Sequence, residues 1–222
     1  MTINNLAASH GELLLRERFE SMVGEFRSWR MCNFIRQLEA SKRNGRVLPF
    51  VRGLRLSAQL IYAIRELLEG TELTANWGHL LDVDRKFCSS ECDVIIHRKT
   101  AHIRKWDGTE KPVMDFRFVS MAGTLVVISC KSLVRTIDEE YVVKLKKYVD
   151  RVWLFGECCG PRSIVSLTEK AQLAGYEHFW HLYTWSPKTE EKLNKQGWNN
   201  FVSEVEKLKL CGNSGESLKL QN

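Results

Sequence analysis

The chain of 222 residues is 44% hydrophobic and 27% charged, with a net charge of +6. That make-up suits one folded domain with additions; it excludes a disordered chain, and no apolar run nears the roughly 20 residues a membrane span requires. The mild positive charge is compatible with a phosphate-bearing partner without demanding one.

Residues 1–5 lack the basic and apolar regions of a signal peptide, which predicts a cytoplasmic protein. The seven cysteines form no CxxC pair. They read as buried thiols of a reducing compartment rather than a structural zinc site.

Residues 10–41 read as a long amphipathic helix. Leu15, Phe19, Met22, Val23, Phe26 and Trp29 recur at spacings of three and four, behind a capping box of Ser9 and Glu12. Its expected role is packing or homo-oligomerisation, and Gly45 and Pro49 end it. A second helix is expected over residues 54–69, stopped by Gly70. Leu56, Leu60, Ile64 and Leu67 form its apolar stripe; Gln59, Tyr62 and Glu66 share another face.

The period then falls to two. Strands are expected over residues 76–83, 92–97, 100–106, 112–120 and 125–131, the last being the most apolar and the sheet's centre. A capping box of Thr136 and Glu139 opens a helix whose Tyr141, Val142, Leu145 and Val149 face the core. The buried strand 152–155 follows, and the order strand, helix, strand implies a parallel crossover. A helix over 166–173, an aromatic strand over 178–185 and a helix over 189–210 complete the domain. The expected organisation is a helical extension (1–53), an α/β domain with a mixed sheet flanked by helices (54–210) and a polar tail (211–222).

Two strands carry charge that packing does not ask for. One reads Glu91-Cys92-Asp93-Val94-Ile95-Ile96-His97, the other Leu125-Val126-Val127-Ile128-Ser129-Cys130-Lys131. By alternation Glu91, Asp93, Ile95 and His97 share one side of the first, and Val127, Ser129 and Lys131 one side of the second. If the strands are neighbours, Asp93 and Lys131 face one cleft. Phosphodiester hydrolysis needs an activated water and stabilisation of charge on phosphate oxygens, and a divalent cation supplies both. An Asp, a second acid and a Lys are the minimum kit, and the Cys130 carbonyl could add a ligand.

The order of elements, with Asp in one strand and residue-x-Lys in the next, resembles the PD-(D/E)XK nuclease superfamily, and among its members the NucC-like, defence-associated endonucleases. The similarity spans residues 56–155, with 100–120 as an inserted hairpin. It implies a restriction-endonuclease-like fold and an endonuclease that uses Mg2+ or Mn2+ on nucleic acid, double-stranded DNA first. By this resemblance Asp93 is a metal ligand, Lys131 the catalytic lysine and Glu66 the acid of the preceding helix, with Gln59 its rival. The family has an acid two residues before the lysine; here that place holds Ser129. Glu139 and Glu140 on the following helix, or Glu91 beside Asp93, are the candidates to complete the metal site. Glu140 has a simpler alternative, pairing with Lys144 one turn on. A nuclease fold without catalysis, binding nucleic acid or a partner, is the competing expectation.

Overall fold

The structure, a computed structural model, describes residues 47–82, 84, 87–103, 116–160, 163–186 and 189–213. The helix expected over 10–41, with its oligomerising role, lies outside the described residues, as does the tail beyond residue 213. The chain divides into two compact units, Met1–Arg55 and Leu56–Asn222. Of the first, only the opening turns of helix α1 are described.

Helix α1 (Val47–Leu67) buries Leu56, Leu60, Ile64 and Leu67, the stripe its spacing requires. Gly70 adopts φ 76° just beyond its end, a conformation glycine takes at little cost. Strands β1 (Leu73–Asp82), β2 (Phe87–Cys88) and β3 (Cys92–Arg98) follow, then β4 (Phe116–Ser120) and β5 (Thr124–Lys131). Helix α2 (Glu139–Leu145), β6 (Val152–Cys159), α3 (Ile164–Ala174), β7 (His178–Ser186), β8 (Thr189–Leu193) and α4 (Lys195–Asn213) complete the described chain.

The eight described strands belong to one mixed sheet of order β2-β1-β3-β5-β6-β7-β8, with β4 beside β1. The β3/β5 pair is antiparallel; β5/β6 and β6/β7 are parallel, as the intervening helices require. Every residue of β6 is buried, which fits a central strand covered on both faces. Val152 and Leu154 pack with Val142, Leu145 and Ala171 from α2 and α3. Trp153 and Phe155 point the other way into an aromatic cluster, where Phe201 of α4 lies 4.9 Å from Phe155 and 5.3 Å from Trp180. Trp153 and Trp180 are core, as expected.

Three expectations are corrected. Residues 100–103 are not a regular strand: a 3-10 turn spans Lys99–Ala101. An antiparallel bridge joins His102 to Val119, and the Ile103 amide donates to the Phe118 carbonyl at 2.9 Å, while β4 also pairs in parallel with β1. The cap of α2 is Asp138, which accepts from the Tyr141 amide at 3.0 Å, not Thr136 with Glu139. Residues 189–193 are a strand that satisfies the open edge of β7, and the last helix starts only after Asn194, whose side chain accepts from the Gly197 amide.

His97 is buried on β3, paired with Thr74 of β1. Its Nδ1 donates to the Arg98 carbonyl at 2.8 Å and its Nε2 lies 2.9 Å from the Asn76 side chain. Burial first, then the nearby His102, Arg65 and Arg117, lower its pKa from 6.5 to about 4. The unfolded chain therefore takes up this proton before the folded one does. Stability held above pH 6.5 is lost as pH falls toward 4, by about 3 kcal/mol from this group. Chemical denaturation across that window should show the loss, and His97→Gln should flatten it.

Candidate active site

The β3/β5 ladder pairs Val94 with Ile128 and Ile95 with Val127. One step further, the same register sets Asp93 against Ser129, and Lys131 shares the side of Ser129 along β5. Glu91 precedes β3, and the β1/β3 register is irregular between Cys92 and Ile95, so strand alternation does not place its side chain. The Cys130 amide donates to Asp93 Oδ2 at 2.8 Å, so the carboxylate serves as a rung of the sheet. The carbonyl of Cys130 is directed toward β3 as well, since both polar groups of a strand residue point to one neighbour.

Asp93 is pushed above the ordinary aspartate range, mainly by desolvation. The Cys130 amide and the Lys131 ammonium oppose that rise, and the Glu91 carboxylate adds to it. Asp93 and Lys131, 38 positions apart in the sequence, thus act on each other directly. Glu91 is exposed, and its Oε1 accepts from the Trp77 indole at 2.8 Å. Its carbonyl accepts from the Tyr141 hydroxyl at 3.2 Å.

Three other acids considered from the sequence are exposed on helices. Glu66 is exposed on the last turn of α1. Its neighbour Arg65 donates to the Ala75 carbonyl at 2.8 Å, and Ala75 pairs with Ile96, toward the far end of β3. The part of α1 that reaches the Asp93 end is Ser57, hydrogen-bonded to the Cys130 thiol. Glu66 lies nine residues on, about 13 Å along the helix axis. Gln59 is only two residues from Ser57, at the nearer end. Glu139 and Glu140 are exposed on the first turn of α2, and Glu140 pairs with Lys144 at 2.6 Å.

Ser129 is fully buried, and its hydroxyl has no partner at hydrogen-bond geometry. Beside it lies the Tyr176 hydroxyl, which interacts with Ser129 and with the Asp93 charge. Sequence reasoning took Tyr141 only for core and missed Tyr176 and Ser57. Tyr141 had a signal in its place on the first turn of α2; the other two become neighbours of the site only through tertiary contact.

Among the described residues no three His, Cys, Asp or Glu side chains gather around one point. Magnesium needs less: one or two carboxylates, with water and substrate phosphate as the other ligands. Asp93 and Glu91 could offer a cation two carboxylates that now repel each other, and the Cys130 carbonyl a third oxygen. The Cys92 thiol is raised to about 12 and that of Cys130 well above its usual value, mainly by burial, so both stay protonated. The donors are hard oxygens, which fits Mg2+ or Mn2+ and not a thiolate-bound metal.

A mixed sheet flanked by helices on both faces places the chain in the restriction-endonuclease-like class of α/β folds. No family model and no curated protein matches the sequence. Among solved structures, the chain is similar to Pseudomonas aeruginosa ATCC27853 NucC in its cAAA-bound form. The TM-score is 0.51 at 10% identity, over 96% of this chain and 92% of that one. Escherichia coli MS115-1 NucC, also cAAA-bound, gives 0.50 at 9% identity over the same shares, 96% and 92%. At such identity the likeness is one of fold.

Proposed function

We propose that this chain is a metal-dependent endonuclease that hydrolyses phosphodiester bonds of DNA in antiviral defence. The observation that carries the reading is the Asp93 carboxylate at the end of the β3/β5 ladder, held by the Cys130 amide and acted on by both the Lys131 and the Glu91 charges. The NucC likeness supports it at the level of fold.

In this reading Asp93, Glu91 and the Cys130 carbonyl hold Mg2+ or Mn2+. The cation, when bound, lowers the pKa of a water and neutralises phosphate charge. Asp93 is fixed for that role by the Cys130 amide and keeps part of its surface open to solvent. The Lys131 ammonium orients the water and offsets charge on the phosphate as it is attacked. In this reading the protein acts in the cytoplasm as a homo-oligomer, with the apolar stripe of the sequence over residues 10–41 as the expected contact. No helix among the described residues is long and apolar enough to cross a membrane.

The burial of Ser129, in the place of the usual second acid, favours one other reading: a nuclease fold that binds nucleic acid without cutting it. Purified protein should cleave plasmid DNA in Mg2+ or Mn2+ and stop when EDTA is added. Salt-sensitive DNA binding without cleavage in either metal would instead establish the second reading.

A further inference from the structure

Two buried hydroxyls meet at the site. Ser129 is 0% exposed and comes from β5; Tyr176 is 3% exposed and comes from the link between α3 and β7. Neither oxygen has a protein partner at hydrogen-bond geometry, although the two interact. Buried polar groups in native proteins are almost always satisfied, by protein or by water. The backbone around Tyr176 is fixed: its amide donates to Ala171 at 3.0 Å and that of Glu177 to Val152 at 2.8 Å. Its ring packs in the core with Val152 and Leu154. The hydroxyl is therefore held beside Ser129 and cannot swing out to solvent.

The third group at this spot is Asp93. One of its oxygens accepts from Cys130, and a carboxylate offers about four lone-pair sites in all. A buried water commonly makes about three hydrogen bonds to groups left otherwise unsatisfied.

We propose that Ser129, Tyr176 and Asp93 together bind one buried water, and that through it Tyr176 is a positioning residue for the Asp93 carboxylate. The water accepts from one hydroxyl and donates to the carboxylate, fixing the direction of its lone pairs. This support takes the place of the rigidity that a second acid at position 129 would bring by sharing the cation. The role of Asp93 as a ligand rests on the function proposed above; the water itself does not.

Two measurements test the proposal. A high-resolution crystal structure should show a water within hydrogen-bond distance of Ser129 Oγ, Tyr176 Oη and an Asp93 oxygen; a direct Ser129–Tyr176 bond with no water between them overturns it. Mn2+ binding, read by electron paramagnetic resonance, should weaken about 10-fold in Tyr176→Phe and in Ser129→Ala. The double variant should be little weaker than either, because both changes remove the same water. Thermal melts of the metal-free variants should match wild type, and if Tyr176→Phe does not fold, Ser129→Ala carries the test. Wild-type affinity in Tyr176→Phe overturns the positioning role. A wild-type protein that binds no Mn2+ sinks the metal reading instead, and the crystal structure then decides on the water alone.

Discussion

Asp93→Asn leaves the protein folded and without cleavage. The amide oxygen of the substituted side chain still accepts from the Cys130 N–H, so the rung between β3 and β5 survives. What disappears is a charge that the fold holds at a cost, for desolvation and the Glu91 carboxylate both push Asp93 above the ordinary aspartate range. The sign follows from that direction: a carboxyl with a raised folded-state pKa stabilises the fold at low pH and ceases to do so as pH rises through that value. Near neutral pH the asparagine variant should therefore melt no lower than wild type. Its cleavage rate should fall by about 10³-fold or more, since the cation loses its most enclosed ligand. Lys131→Ala should lose about 10²–10³-fold, the usual effect of removing one charge-stabilising donor. Initial rates on supercoiled plasmid, measured beside thermal melts, check both. An Asp93→Asn protein that cuts normally would remove this carboxylate from the chemistry.

Gly78→Ala should unfold the β1 edge of the sheet. Gly78 sits at φ 151°, and a Cβ there would lie 1.8 Å from the Arg117 carbonyl oxygen, which no rotamer change can relieve. Gly78 is itself paired with Arg117 of β4, and the β1/β3 register shifts between Asn76 and Gly78. The close approach of β4 and the irregularity in β1 thus meet at one residue. Strained backbone costs about 1–3 kcal/mol, and displacing β4 adds the loss of its ladder. A total of about 3–5 kcal/mol lowers the melting temperature by roughly 10 °C for a domain of this size. Gly70→Ala is the control: its φ is 76° with no atom within 4 Å of the new carbon. It should cost only about 1–2 kcal/mol, the penalty of the left-handed conformation alone. Equal losses in the two variants would mean that crowding against β4 does not matter.

The nearness of Asp93 and Lys131 was legible because both lie at the ends of apolar strands that turn out to be neighbours, and the Lys131 charge acts on the Asp93 carboxylate. Alternation carries no further, since the β1/β3 register is irregular between Cys92 and Ile95. The helical acid was not legible. Spacing places Glu66 on a face of α1, but nothing in it tells how far along the sheet that turn of helix lies. Ser57, by contrast, carries no sequence mark of chemistry yet reaches Cys130. Residues 189–193 were misread because their charges suit a solvated helix as well as an edge strand, where charge discourages further pairing. The parallel pairing of β4 with β1 was not legible either, since adjacent extended segments suggest only the antiparallel contact that His102 and Ile103 make with β4. Tyr176 is out of reach of any local pattern, since 47 positions separate it from Ser129.

The neighbouring strands that carry Asp93 and Lys131 are split in the chain by residues 99–123, and β5 takes its central place only when β6 has joined it. A ribosome-bound chain that stops short of residue 131 holds the aspartate and no lysine. In the function proposed here, half-made copies are thus chemically silent, and a cell translating this protein meets its cutting power only after the central strands have been released and folded.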